Sequence, residues 1–394
     1  MWRNRRRTIV TVAAMTLALF VMILYAALME GYLRGMERNI LDLEVGDVQV
    51  FAEDYRENPS LWTRIEDPDA LLESLDAAGF PASARLLGFG LAAAGESSAG
   101  VSFRGIDVER DATVSGIHDE LAHGEWLDPA DPGGVVLGRR LARMLGVEPG
   151  DEILVLSQGA DGSMAYDLYR VRGVLRGVGD ATDRTGVFMN AETFRELLVV
   201  PEGAHQIIVR RPPELALASA AGSIARMAAG FDVKTWRQLL PTLASLLDSA
   251  RGLIFAMFFI TYLAVGILIL NAMLMAVFER VREIGVMKAL GVDPLEVLAM
   301  MIAESAIQTG LALLVGVGLS VPALLYLSRV GIDLGSLAGV AVMGVAMDPI
   351  WRASVHPSAY SGPITALVVI VALAVIYPAA KAALIEPVEA MRYH

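Results

Sequence analysis

Two histidines, His118 and His123, stand in HDELAHG and raise the question of a metal site. A helical zinc site of the H-E-x-x-H kind needs its imidazoles at i and i+4, so that both leave one face. These two are five apart, which on a helix turns them onto different faces, and they read as surface residues. Hydrolytic chemistry fares no better, because no serine lies in a G-x-S-x-G elbow. No G-x-x-x-x-G-K-[ST] stretch is present, so this chain builds no P-loop around a nucleotide's phosphates. The absence of cysteine removes disulfides, thiolate metal sites and a lipobox. The many carboxylates are scattered, which suits a solvated acidic surface better than a catalytic pair. No residue is assigned a catalytic or metal-ligating role, no cofactor is expected on this chain, and independent enzymatic activity is not expected.

A few polar residues lie inside apolar runs. Glu304 and Gln308 are one helical turn apart in one run, and Asn271 stands near the end of another. An intramembrane carboxylate is costly and is read first as functional. With no His or Lys beside it to relay a proton, Glu304 reads instead as a residue that hydrogen-bonds to another helix or at the interface and fixes packing.

The densest charge in the oily part is FERVREIGVMKALGVD, residues 278 to 293, where six charged side chains separate two apolar runs. Ile284, Met287 and Leu290 recur every third residue and are expected to share one helix face, with Arg282, Glu283 and Lys288 off it. Gly291 is expected to end the helix, and Pro294 to open the next at a favoured first-turn position. The patch reads as a short amphipathic helix at a membrane surface. It is either a linker resting on headgroups or a coupling helix that a cytosolic motor grips.

The elements around this patch follow from composition. The 394 residues are 55% hydrophobic and 19% charged, with a mean hydropathy of +0.52, which places the chain among membrane proteins. Four stretches, Thr8–Met29, Gly252–Phe278, Val297–Leu327 and Pro363–Leu384, reach the roughly 20 apolar residues that a span requires. The net charge of −12 argues against nucleic acid as a partner. That charge is uneven: Glu30 to Ala250 holds 35 acids and 20 bases, and the remainder 9 acids and 12 bases. An acidic domain is thus tied to a mildly basic membrane part.

Arg3, Arg5, Arg6 and Arg7 precede the first span, Arg280, Arg282 and Lys288 follow the second, and Lys381 and Arg392 close the chain. Only Arg329 and Arg352 lie between the third and fourth spans. The positive-inside rule then sets both termini and the charged patch in the cytoplasm. The first span is longer than a signal-peptide core and continues as a helical pattern, so it reads as an uncleaved anchor.

The expected fold class is therefore membrane α-helical, with four transmembrane helices and a large α+β extracytoplasmic domain inserted between helices 1 and 2. The expected segments are 1–29 for the N-terminus and first span, 30–249 for the exported domain with helical stalks, and 250–278 for the second span. The patch occupies 279–294, the third span 295–328, a periplasmic loop 329–362, and the fourth span with its tail 363–394.

Within the exported domain DVQVFA, GVVL, DEILVLS, YDLYRVRGVL and GVFMN read as strands. DPDALLESLDAAG, GRRLARMLG, NAETFRELL and PELALASAAGSIARMAAG read as helices, with cap-like starts at Asp67, Gly138 and Asn190. LSQGADGSMAYDLY reads as a hairpin, which can be an ordinary turn or a surface that docks a partner. KTWRQLLPTLASLLDSARGLIF and GYLRGMERNILDL continue the flanking spans as stalks.

ILNAMLMAVFERVREIGVMKALGVDPLEVLAMMIAESAI resembles the signature of the FtsX/MacB superfamily of ABC-transporter permeases. The matching positions are Asn271, Val277, Glu279, Arg280, Arg282, Glu283, Ile284, Gly285, Lys288, Ala289, Leu290 and Gly291, with Val286 and Met287 inside the same stretch. GVVLGRRLARMLGVEPGDEILVL is similar to an extracytoplasmic segment of that family, and YPAAKAALIEPVEAMRY to its C-terminus, with Met391 where Leu is usual. The resemblance implies a MacB-like periplasmic domain and a permease dimer, homo- or heteromeric, driven by a cytosolic ABC ATPase dimer that holds ATP and Mg. Residues 279 to 291 would couple to that ATPase, and force rather than a channel would act outside, in the bacterial inner membrane.

VGDVQV after the first span and IDL after the third look most similar to lipoprotein-releasing permeases of the LolC/LolE type. This implies lipoprotein cargo, contact with membrane lipid, and a periplasmic carrier. The carrier would be caught at a hairpin corresponding to Gln158, Gly159, Asp161, Met164 and Tyr166, which is shorter than that family's hook and lacks its prolines. Acyl chains would enter past Phe20, Ile23, Leu24, Phe258, Phe259 and Tyr262. MacB-like efflux of peptides, toxins or drugs, and FtsX-like signalling to a cell-wall hydrolase, are the alternatives the same resemblance leaves open.

Overall fold

The computed structural model describes residues 5–279, 281–333, 341–342, 345–346 and 350–384. Arg3, Arg280, Met391 and Arg392, named above, lie outside them. In chain order the first elements are α1 (Arg5–Ile40), β1 (Val48–Phe51), α2 (Pro68–Ala77), β2 (Ala82–Ala94), β3 (Ser97–Ile106), α3 (Val108–Asp111) and β4 (Leu121–Gly124). Next come β5 (Gly134–Leu137), α4 (Arg139–Leu145), β6 (Glu152–Gln158), β7 (Met164–Leu175), α5 (Asp180–Thr185), β8 (Gly186–Asn190) and α6 (Ala191–Leu198). Then follow β9 (Gln206–Val209), α7 (Leu217–Met227), β10 (Asp232–Thr235), α8 (Trp236–Leu239), α9 (Pro241–Glu279), α10 (Val281–Ala289), α11 (Pro294–Arg329) and α12 (Pro357–Leu384).

These divide into two compact units. The helical unit takes the described residues of Met1–Arg34, Leu247–Gly335 and Ile350–His394, and the sheet unit those of Gly35–Leu246 and Ser336–Pro349.

Among the described residues, four helices are long and apolar enough to cross a membrane, and they contain the four expected spans. Their packing rests on small residues. On α11 Ser305, Ala312, Gly316 and Ser320 are buried, and on α12 Ala359, Ala379 and Ala382, so that backbones approach closely as membrane helices require. A Cβ on Gly316 would lie 2.9 Å from Leu19 Cδ2 of α1. Gln308 and Thr309 share the buried face of α11, whereas Asn271 is exposed on α9.

The sheet unit holds a ten-stranded mixed sheet in the order β10-β1-β9-β2-β3-β8-β5-β7-β4, with β6 paired to both β2 and β7. Every strand and helix expected in this domain is present. Asp67 caps α2 by accepting from Ala70 N at 3.3 Å, with Pro68 in the first turn. Gly138 and Asn190 precede their helices but make no side-chain cap; Asn190 Nδ2 donates to Asp128 O at 2.9 Å instead. Two long strands were not expected. ASARLLGFGLAAA (β2) and SSAGVSFRGI (β3) are rich in Ala, Gly and Ser, which carry little strand preference. They pair over ten residues through a two-residue turn whose first position, Gly95, has φ +56°. The main core gathers Phe103, Leu141, Val187 and Phe194 beneath the sheet.

Candidate functional site

The charged patch forms α10, whose buried face is Val281, Ile284 and Gly285. With half-buried Lys288 this is the i, i+3, i+4, i+7 stripe of a 3.6-residue period. The expected triad of Ile284, Met287 and Leu290 holds only in part. Met287 packs against the helical core that includes Ile284, but Leu290 is 82% exposed. Six residues turn a helix by about 600°, which carries Leu290 well away from Ile284.

Lys288 does not face outward. Its Nζ donates to Ala383 O at 2.8 Å, in the last turn of α12, where the helix dipole favours a cation. Lys381 of α12 in turn lies 4.8 Å from the ring centroid of Phe278 at the end of α9, a cation–π contact. Two cations thus tie the ends of α9, α10 and α12 together.

The exit from α10 is equally fixed. Gly291, at φ +100°, donates to Lys288 O, and Val292 N donates to Met287 O, both at 3.1 Å. This is the paired-bond Schellman end, with Met287 and Val292 both packed on the helical core. Asp293 then caps α11 in a box with Glu296, and Pro294 opens the helix. What remains outward is Arg282, Glu283, Val286, Ala289 and Leu290, a charged face with an apolar pair at i and i+4. Glu279 closes α9, and Arg280 lies outside the described residues.

The second candidate is the β6–β7 hairpin. Its tip is pinned: Ala160 N donates to Leu198 O at 2.7 Å and Trp62 Nε1 donates to Ala160 O at 2.8 Å. Gly159 N donates to Ser163 O at 2.9 Å, Gln158 Nε2 to Gly162 O at 3.3 Å, and Asp161 Oδ1 accepts from Ser163 N and Oγ. The Ser163 bonds hold the Asp161 carboxyl below its ordinary range. At the other end Arg170 and Arg172 each donate to Asp131 Oδ2 at 2.6 Å, which lowers the Asp131 pKa likewise.

Between these ends the outward face of the sheet is apolar. Leu91, Leu156 and Tyr166 lie in one cross-strand row, and Ala93, Leu154 and Leu168 in the next. Phe89, Leu91, Met164, Tyr166 and Leu168 are 52–76% exposed. Beside them opens a cavity of about 480 Å³ lined by Tyr55, Leu61, Phe89, Leu91, Leu156 and Met164. Gly90 makes the β2–β6 pairing possible, since a Cβ there would lie 2.4 Å from Leu156 O. Sequence reading found Met164 and Tyr166 but missed Phe89, Leu91, Leu156 and Leu168. The signal was present: MAYDLYRV is apolar at both even and odd positions, the pattern of a strand whose two faces both need covering.

The six candidate acyl-lining residues fall into different environments. Ile23 and Tyr262 are buried in the helical core, where Tyr262 OH donates to Pro363 O at 2.9 Å. Phe258 is half-buried, meeting Tyr25 edge-on at 5.6 Å, and Leu24 is half-buried against the same core. Phe20 is half-buried and Phe259 is 62% exposed. His118 and His123 do not come together as ligands: His118 Nδ1 lies 3.1 Å from Ser115 O, His123 is exposed in β4, and no metal-ligating cluster occurs among the described residues.

Residues 8–227 match the MacB-like periplasmic core domain, and residues 255–387 match the FtsX-like permease C-terminal region. The chain is 26% identical over 200 residues to an uncharacterized ABC transporter permease of Methanocaldococcus jannaschii, covering 47% of each protein. It is 35% identical over 128 residues to the macrolide export ATP-binding/permease protein MacB of Bdellovibrio bacteriovorus, covering 32% of this chain and 17% of that one. The periplasmic region of MacB from Actinobacillus actinomycetemcomitans aligns at 15% identity with a TM-score of 0.39, over 53% of this chain and 97% of that one. With both matches in the order that the four helices and the inserted sheet unit require, the chain belongs to the MacB/FtsX family of ABC transporter permeases.

Proposed function

We propose that a separate ABC ATPase dimer grips the outward face of α10, and that with a second permease copy this chain extracts lipoproteins from the membrane by transmitted force. In this reading it lies in a bacterial inner membrane, with α10 and both termini cytoplasmic and the sheet unit periplasmic. ATP and Mg belong to the partner. The second copy covers α9, whose Leu253, Phe255, Phe259 and Ile260 are all exposed.

The observation that supports the cargo assignment is the apolar outward face of Phe89, Leu91, Met164, Tyr166 and Leu168 with its adjoining cavity. On a unit this acidic, such a face suits an acylated protein or a carrier that shields acyl chains. Efflux of amphiphilic small molecules from the periplasm is the second reading, favoured by the likeness to a protein named for macrolide export.

The test is to purify the permease with its ATPase and identify what it retains. Acylated protein, together with inner-membrane accumulation of outer-membrane lipoproteins on depletion, upholds release. Unchanged lipoprotein distribution with drug hypersensitivity replaces it by efflux, and loss of wall-hydrolase activity alone replaces it by signalling. The absence of cysteine makes orientation easy to check: Ala289→Cys labels only from the cytoplasmic side and Glu109→Cys only from outside.

A further inference from the structure

The two helices that flank the sheet unit in the chain are placed differently with respect to α10. α9 ends at Glu279 and α10 begins at Val281, so a displacement of α10 pulls on α9 through the backbone itself. α1 has no such neighbour, because the whole sheet unit separates it in sequence from α9. Motion that starts at α10 reaches α1 only through contacts.

The chain between α11 and α12 supplies directional ones, all within the helical unit. Trp351 Nε1 donates to Leu28 O at 2.7 Å, and Ser354 N donates to Ala27 O at 2.9 Å. Ser358 Oγ, in the first turn of α12, donates to Glu30 Oε1 at 2.7 Å. The Trp351 ring also meets Tyr32, with centroids 5.5 Å apart. Gly31 makes the approach possible, since a Cβ there would stand 2.1 Å from Arg352 O. The same segment is fastened to α11: Ala353 N donates to Leu327 O at 3.3 Å, and Ile332 and Asp333 pair antiparallel with Trp351 and Ile350.

Apolar helix faces can slide past one another, as in shear motions, but hydrogen bonds to fixed carbonyls set a register. At the far end of α12, Lys288 of α10 holds Ala383 O. We propose that residues 351–358 hand the displacement of α12 to α1, so that force entering at α10 reaches α1 by way of Lys288, α12 and this segment. α1 continues unbroken to Ile40, into the sheet unit. The proposal rests on the reading that an ATPase grips α10, and it is independent of which cargo is moved.

The full chain with its ATPase, in lipid nanodiscs, is compared with and without trapped ATP by hydrogen exchange, read separately in α10 and in α1 beyond residue 28. In the wild type ATP changes exchange in both. Trp351→Ala with Ser358→Ala removes two donors to α1 and the ring contact, and Gly31→Leu, separately, wedges the segment away. In each the α10 response stays and the α1 response falls severalfold or vanishes. Ser358→Thr, which keeps the hydroxyl, keeps both responses. Local loosening alone would raise α1 exchange equally with and without ATP, so the ATP-dependent difference reads transmission. An α1 response that survives in both variants, or an α10 response lost along with it, overturns the proposal. A wild type whose α1 is silent while α10 responds overturns the proposal alone. Silence of α10 in the wild type overturns the ATPase reading, and the proposal with it.

Discussion

The sheet unit and the helical unit treat charge in opposite ways. In the sheet unit Arg85 and Asp111 are both buried, joined by bonds of 2.7 and 2.9 Å, while Phe89, Leu91, Tyr166 and Leu168 face out. Asp47 is buried too, and accepts from Arg211 Nε at 2.8 Å. In α10 the order is the usual one, with Ile284 and Gly285 inside and Arg282 and Glu283 outside. A buried ion pair seldom adds net stability, and an exposed apolar face costs solubility. The difference teaches that burial in the sheet unit follows the pairing of charges, whereas in α10 it follows the helical period.

The sharpest break of this comparison is at Arg85. Arg85→Ala leaves the Asp111 carboxylate buried without its partner and is expected to cost about 3–5 kcal/mol. Arg85→Met with Asp111→Leu is expected to restore most of it, because no charge is then left in the interior. Hydrogen exchange in β2 and β9 of the full chain reads both. A double variant as damaged as the single one would show that the pair itself, rather than its desolvation, holds the unit together.

The two faces of α10 separate next. Lys288→Met removes a charged hydrogen bond and is expected to loosen α10 by about 1.5–3 kcal/mol, seen as faster exchange there and at the end of α12. Leu290→Asp, on the outward face, is expected to leave that exchange unchanged and to weaken ATPase association roughly tenfold or more, about 1.4 kcal/mol. If Leu290→Asp melts α10 and Lys288→Met does not, inside and outside have been exchanged. Smaller still is the expected stability change for Tyr166→Asp, within about 0.5 kcal/mol, since the ring is exposed. Its effect is expected in cargo or carrier retention, and intact retention would remove the hairpin face from the functional surface.

These same residues show what was legible beforehand. The four spans, the Gly291 stop, the Pro294 start and the Asp67 cap are local patterns, and local patterns survive in one dimension. Leu290 was misplaced because a three-residue recurrence is close to, but not equal to, the helical period. β2 and β3 escaped because Ala, Gly and Ser state no preference, and a long antiparallel pairing supplied what propensity did not. Lys288 to Ala383 and Arg85 to Asp111 join residues 95 and 26 positions apart, and no spacing rule reaches across a fold. The apolar outward face lay between: MAYDLYRV showed apolar residues on both faces, but which side faced outward depended on the core beneath β7.

A pH-dependent effect links the buried interior of the sheet unit to its outward cavity through His205. This residue is fully buried and stacks on Tyr55 at 5.4 Å. Its Nδ1 accepts from Leu87 N at 3.0 Å, so the ring proton sits on Nε2 and is donated to Leu61 O at 3.2 Å. Burial, chiefly, pushes the His205 pKa below its ordinary 6.5, and the Arg64 and Arg195 charges push the same way, against the Leu61 carbonyl. A second proton would have to enter at Nδ1, against the Leu87 N–H. The unfolded chain therefore takes up that proton first as pH falls. Stability from this residue is complete above about 6.5 and declines below it, by at most about 1.4 kcal/mol per pH unit. Tyr55, Leu61 and Leu87 all line the cavity beside the apolar face, so acid is expected to loosen that cavity before the rest of the sheet. His205→Asn keeps an acceptor for Leu87 N, its Oδ1 standing where Nδ1 stood, gives up the bond to Leu61 O, and does not titrate. Fluorescence of Trp62, tied by Nε1 to the hairpin tip, should change between pH 7 and about pH 5 in the wild type and stay flat in His205→Asn. Superimposable curves would take the acid response away from His205, and the Asp131 pairs, whose carboxyl is held below its ordinary range, lose stability only in a more acidic window.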